Sequence, residues 1–294
     1  MSRLLIITGS DGLLGRALVE TASTRNISYI PITRRSSSND TAQYIEDSIH
    51  TDKLSRDQIL KLEDPNVFKT IINCAWSGEK NLTDGGMSAQ LSNLKFVETL
   101  IKFAEEYCIH SIYNIGTMDE IIVERLILSE NARPFEFSHL NYALAKSATR
   151  DIFKFLCYVK KIDFVHARIS IIIDKKLRGS NFVERNLRSI LNNKSYEQPS
   201  SSELYNICTS DYVANQIIDY IEQNNTEDLI LGNSLVMTLS SFFQSISMCI
   251  TSENLSMGNS TGSVLVWKDF HLNEPVCQPS PTLVTELLNE LSNE

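Results

Sequence analysis

Tyr142 and Lys146 stand four residues apart in Tyr-Ala-Leu-Ala-Lys, a spacing that puts a phenol and an ammonium on one face of a helix. A cation beside a phenol favours the phenolate, so such a tyrosine can give and take a proton near working pH. A tyrosine and a lysine at this spacing also arise by chance, and the pair calls for a third member. Thr117 is the candidate, because it closes a short apolar run at 111–116 and carries a hydroxyl that can share a substrate oxygen.

A second constellation opens the chain. Gly9, Ser10, Asp11, Gly12, Leu13, Leu14 and Gly15 place glycines at three-residue intervals, directly after an apolar run and directly before a helical pattern. Three glycines can be no more than a turn. In this strand-to-helix setting they let the chain bend sharply and let a pyrophosphate reach backbone N–H groups at a helix N-terminus. The end of the next apolar run then discriminates between cofactors. A carboxylate there would accept a ribose 2′-hydroxyl, whereas arginine accommodates a 2′-phosphate. This chain has Ile32-Thr33-Arg34-Arg35, so Arg34 and Arg35 favour NADP(H) over NAD(H), the other reading being a solvated basic turn.

These residues need elements to hold them. Apolar runs at 4–8, 29–33, 67–76, 111–116 and 164–173 read as strands, and patterns at 15–24, 87–107 and 141–160 read as helices. Strands alternating with helices predict an α/β fold, a Rossmann-type doubly wound parallel sheet covered on both faces. The alternation weakens beyond 174. We therefore expect a cofactor domain over 1–173, with part of 205–235 returning to it, and a smaller substrate lobe over 174–294. The polar tract at 36–41 reads as a surface loop.

Composition narrows the partners. The chain has 294 residues, with 27 Lys plus Arg against 36 Asp plus Glu and a net charge of −9. No surface-wide basic field exists to attract a polyanion, so no nucleic acid is expected. No run approaches the roughly 18 apolar residues of a membrane span. Six cysteines are scattered without Cys-x-x-Cys spacing, which argues against a metal site and for reduced thiols. The short, early-interrupted apolar opening does not read as a signal peptide, and a cytoplasmic protein is expected.

Taken in order, Gly9, Gly12 and Gly15, the strand end Asn73-Cys74-Ala75, Asn93, Thr117, Tyr142 and Lys146 resemble the extended short-chain dehydrogenase/reductase superfamily, the nucleotide-sugar epimerase, dehydratase and reductase group. The likeness covers roughly 4–235. It implies that Ala75 and Asn93 flank the cofactor, that Thr117 binds the reacting oxygen and that Tyr142 is the acid/base. Lys146 would serve both the nicotinamide ribose and the tyrosine, and Asp211 would have a structural role. A homodimer built on the 87–107 and 141–160 helices is also implied.

Departures from the family pattern bear on the substrate. Trp76 stands where many relatives carry a small residue, and would shape the sugar pocket or pack as a core or lid residue. The run Arg168 to Asp174 lacks the family's diphosphate-gripping Asn and the Gly that follows it. Thr117-Met118-Asp119-Glu120 displaces by one residue the Thr-Asp-Glu of the dehydratases, which disfavours elimination. Gly116-Thr117-x-x-Glu120 is instead similar to reductases of nucleotide-linked 4-keto-6-deoxysugars, which would have Glu120 touch the sugar, the other reading being an exposed loop carboxylate. The expected reaction is NADPH-dependent reduction of such a ketosugar, supplying a deoxysugar for surface polysaccharide such as the O-antigen of lipopolysaccharide. A nucleotide-sugar 4-epimerase is the alternative, and a non-catalytic NADP sensor or scaffold the second.

Overall fold

Leu4, Leu5, Ile6 and Ile7 are wholly buried in β1 (Arg3–Thr8), which runs inside an eight-stranded sheet and so has apolar residues on both faces. The computed structural model describes residues 2–34, 39–45, 47–77, 87–121, 123–124, 140–174, 176–179, 181–192, 194–199, 204–232 and 236–254. The other strands of this sheet are β2 (Ser28–Thr33), β3 (Ala42–Ile45), β4 (Ser48–His50), β5 (Phe68–Asn73), β6 (Ser111–Thr117), β7 (Asp163–Ile169) and β10 (Leu229–Leu231). Their order is β10-β7-β6-β5-β1-β2-β3-β4.

β1 pairs in parallel with β2 on one side and β5 on the other. The chain grows outward through β2 and β3, then returns to continue from β5. Such a reversal opens a crevice beyond the carboxyl ends of the two central strands, where ligands of doubly wound sheets bind. Gly9 follows β1 and Ala75 lies just past β5, so both stand at that crevice. Helices α1 (Leu13–Thr24), α2 (Arg56–Glu63), α3 (Met87–Glu106) and α4 (Leu140–Lys160) belong to the same unit. One core joins Leu4, Ile6, Ile30 and Ile71 of the sheet to Val97 and Leu100 of α3 and Phe153 of α4.

The β-prone run at 164–173 is not one strand. It breaks at Ser170 into β7 and β8 (Ile171–Ile173), and β8 joins a different, three-stranded sheet with β9 (Leu204–Thr209) and β11 (Val236–Thr238), in the order β11-β9-β8. The chain divides there into two compact units, 1–169 with 217–230, and 170–216 with the described residues from Leu231 onward. The second unit packs Ile173, Leu187, Ile207, Phe242 and Phe243 around α5 (Phe182–Leu191) and α7 (Leu239–Asn254). In α6 (Ser210–Glu222), Asp211 lies in the first turn, where a carboxylate favours the helix N-terminus. No described helix is long and apolar enough to cross a membrane. Residues 267–294 lie outside the described residues.

Candidate functional site

Two positions of the turn after β1, Gly9 and Gly15, require glycine. Gly9 has φ +63°, and a Cβ there would lie 2.9 Å from the Ala75 backbone. A Cβ on Gly15 would come within 2.1 Å of the Gly9 carbonyl oxygen. The turn closes through Gly12 N–H to Gly9 O at 2.8 Å, and Ser10 is held against β2 by donating its hydroxyl to Ile32 O at 3.2 Å. Asp11 is exposed and takes the Arg16 guanidinium on its carbonyl at 2.6 Å. Leu14 is buried beneath the first turn of α1, with Leu13 half-buried beside it.

Gly12 is the N-cap of α1 and supplies no side-chain acceptor to that helix end. Helix α2 differs, because Ser55 and Gln58 form a reciprocal capping box. An uncapped N-terminus beside a close-packed glycine turn leaves N–H groups and the positive end of the helix dipole for an anion. These residues fit the phosphates of a dinucleotide.

A cleft opens beside the turn, with Gly9, Gly12, Arg34, Tyr44, Ala75 and Trp76 among its lining residues. Arg34 is exposed at the end of β2 and reaches across the crevice, donating to Ser77 Oγ at 2.5 Å and Trp76 O at 3.3 Å. Arg35 lies outside the described residues. Asn93, buried on α3, pins Ser77 by accepting from its N–H at 2.7 Å and donating to its carbonyl at 3.2 Å. It therefore shapes the backbone that lines the crevice. Tyr44 and Phe96 also line the cleft and meet edge to face at 4.6 Å between ring centres. Neither was singled out in the sequence, since an aromatic residue in a short polar strand and one in a helix core carry no local sign of a ligand.

Tyr142 and Lys146 share a face of α4, as their spacing predicts, and Trp76 joins them. The Lys146 ammonium lies 4.0 Å from the centre of the Trp76 ring and 5.8 Å from that of Tyr142, and donates to Ile115 O at 2.8 Å. The Trp76 and Tyr142 rings meet edge to face at 5.8 Å. Trp76 is buried, with its indole N–H on Gln90 Oε1 at 3.1 Å.

Thr117 ends β6 half-buried, and its Oγ1 accepts from the Asp119 N–H at 3.3 Å. Glu120 needs correction. It is 0% exposed, accepts from Thr117 N–H at 2.8 Å and shares a 2.8 Å hydrogen bond with His166 Nε2. Arg168 and Arg150 lie 3.6 and 3.7 Å from it. A carboxylate enclosed in this way does not present itself to a sugar, and its work is internal. Burial alone would push its pKa up; the hydrogen bonds from His166 and Thr117 and the Arg168 charge outweigh burial and hold it below the usual carboxylate value. His166, like Tyr44 and Phe96, is not singled out by the sequence. Its only local signal was a polar ring in a run expected to be buried on both faces.

A model of the NAD dependent epimerase/dehydratase family matches residues 5–208. No curated protein sequence matches the chain. Among solved structures, a UDP-N-acetylglucosamine 4-epimerase from Bacillus cereus is similar at a TM-score of 0.62 and 16% identity, over 84% of this chain and 82% of that one. A UDP-glucose 4-epimerase from Thermotoga maritima, with UDP-glucose, gives 0.61 and 14% over 83% and 82%. The Thermus thermophilus UDP-glucose 4-epimerase complex with NAD gives 0.62 and 12% over 84% and 83%. At such identities the structural likeness concerns the fold.

Proposed function

The chain belongs to the NAD dependent epimerase/dehydratase family, enzymes of the extended short-chain dehydrogenase type, and from that premise we propose that it reduces a nucleotide-linked 4-keto-6-deoxysugar with NADPH. The observation that carries this reading is the meeting of Tyr142, Lys146 and Trp76 on α4 and the β5 end, beside the glycine turn. Gly9, Gly12, Gly15 and the α1 N-terminus would hold the cofactor's diphosphate, Ala75 and Asn93 would border it, and Arg34 and Arg35 would take the 2′-phosphate. When bound, the reduced nicotinamide supplies the hydride equivalent for the keto carbon.

The protein's own groups manage the oxygen. Tyr142 gives its proton to the oxygen as the carbonyl becomes an alcohol, and Lys146 favours the phenolate left behind. Thr117 Oγ1 accepts a bond from Asp119 N–H, and its hydroxyl proton would be the donor that stabilises the developing negative charge. Thr117 is thus an electrostatic partner and Tyr142 the acid.

Incubation with NADPH and a panel of nucleotide-linked 4-ketosugars tests the proposal. The expected result is consumption of NADPH with at least one sugar, and a Tyr142→Phe chain at least about 100-fold slower with unchanged cofactor affinity. Equal turnover by Tyr142→Phe would end the reductase reading. The second reading is a nucleotide-sugar 4-epimerase, the activity named for the three similar structures. Interconversion of a UDP-sugar pair without net NADPH consumption would select it, and the arginine after β2 counts against it.

A homodimer is part of the proposal. Most of the large apolar side chains exposed among the described residues lie on α4, namely Leu140, Leu144, Ile152, Phe155, Tyr158 and Val159. A stripe of this kind suits a second copy of the same chain. Sedimentation should give twice the chain mass, and Phe155→Glu should shift it toward the monomer.

A further inference from the structure

Thr8, Asn73, Asn114 and His166 occupy four adjacent parallel strands in direct register, Thr8 opposite Asn73, Asn73 opposite Asn114, and Asn114 opposite His166. All four are nearly fully buried. Polar residues rarely line up across the centre of a covered sheet unless each satisfies the next.

Here each does, and in one direction. Ala75 N–H donates to Thr8 Oγ1 at 3.2 Å, and the Thr8 hydroxyl donates to Asn73 Oδ1 at 2.7 Å. Asn73 Nδ2 donates to Asn114 Oδ1 at 2.9 Å, and Asn114 Nδ2 meets His166 Nδ1 at 3.2 Å. An amide nitrogen has only protons to offer, so Nδ1 is the acceptor and the ring proton sits on Nε2. That proton is the one given to Glu120, whose other oxygen holds the Thr117 N–H. Gly116 follows from the same arrangement. A Cβ there would lie 2.3 Å from His166 Nε2 and 2.4 Å from Glu120 Oε1, so the strand must be bare where the pair crosses it.

We propose that Glu120 is a positioning residue for Thr117, set in place by His166, and that the two end a one-way row of hydrogen bonds starting at the Ala75 backbone beside the glycine turn. The inference rests on Thr117 as the donor to the reacting oxygen. Holding its N–H fixes the backbone from which the hydroxyl projects, and the row ties that backbone to the strand end bordering the cofactor crevice. A chain of bonds that all point one way polarises each member in the same sense, and one reversed donor would leave two protons or two lone pairs facing each other in the core.

The test has two arms on the full chain. In the first, ¹⁵N spectra should show His166 protonated at Nε2 and bare at Nδ1, and the Thr117 amide should exchange slowly in the parent and at least about tenfold faster in Glu120→Gln. A proton on Nδ1, or unchanged exchange, overturns the proposal. In the second arm, with NADPH and an accepted ketosugar, Glu120→Gln should lower kcat about tenfold while the NADPH Kd and sugar KM stay within about threefold. The same change in a Thr117→Val background should have no further effect, since the carboxylate acts through that residue. An equal fall in both backgrounds, or none in either, refutes the positioning role. Should Glu120→Gln fail to fold, His166→Gln, whose amide can still donate to Glu120, should keep more than half of the parent kcat, and loss of nearly all of it counts against the row. If no sugar on the panel is reduced, the reductase reading falls, and the tautomer and amide exchange still decide the row.

Discussion

The glycine turn after β1 and the Thr117–Glu120 turn after β6 lie at strand ends of one sheet and handle backbone N–H groups by opposite means. At the first, Gly9 and Gly15 leave no room for a Cβ and the α1 N-terminus carries no side-chain cap, so an anion there would have to come from a ligand. At the second, the protein provides its own anion, the buried Glu120, and occupies the Thr117 N–H with it. A helix end left open is a binding device, whereas an N–H closed by an internal carboxylate is a holding device.

Breaking the open end should have the largest effect. Gly15→Ala places a methyl 2.1 Å from a backbone oxygen, so we expect loss of NADPH binding and destabilisation of about 4 kcal/mol or more, measured by urea unfolding. Breaking the closed end comes next. His166→Ala removes the principal donor from a wholly buried carboxylate and should destabilise by about 3 kcal/mol. If both cost under 1 kcal/mol, neither strand end is built as described.

Smaller changes sharpen the contrast. Arg34→Ala should weaken NADPH binding about tenfold, leave NADH binding unaltered and shift stability by no more than about 0.5 kcal/mol. Equal effects on both cofactors would remove the 2′-phosphate assignment. The smallest is a pH effect. Glu120 is held below its unfolded value, so it binds a proton more readily unfolded than folded. Its contribution is therefore complete above the ordinary carboxylate range, about 4, and is lost as pH falls through the lower folded value. Stability measured from neutral to acid pH should fall less steeply in Glu120→Gln than in the parent.

Legibility in the sequence divides along the same line. The glycine turn and the Tyr142/Lys146 face were visible because their constraints are local: a turn that excludes Cβ atoms, and two residues one helical turn apart. The Glu120–His166 bond was not, since it depends on the β6–β7 register, which no spacing along the chain encodes. The resemblance puts Glu120 on the sugar or in an exposed loop, and the structure puts it inside. The break at Ser170 was hidden for a related reason. A run of β-branched residues looks the same whether it serves one sheet or two. The short β3–β4 hairpin carries only a few half-buried residues and gave no periodic signal.

The indole laid against Lys146 gives the cleft an optical handle. The chain has two tryptophans, Trp76 and Trp267, and a Trp267→Phe chain would leave one emitter, 4.0 Å from the ammonium and tied to Gln90. On the reading that Lys146 serves the nicotinamide ribose, the ammonium shifts its bonds beside that ring, so its emission should change as the cofactor loads, before any sugar is added. A Lys146→Met chain should lack that part of the signal, giving a stopped-flow record of when the cation shifts.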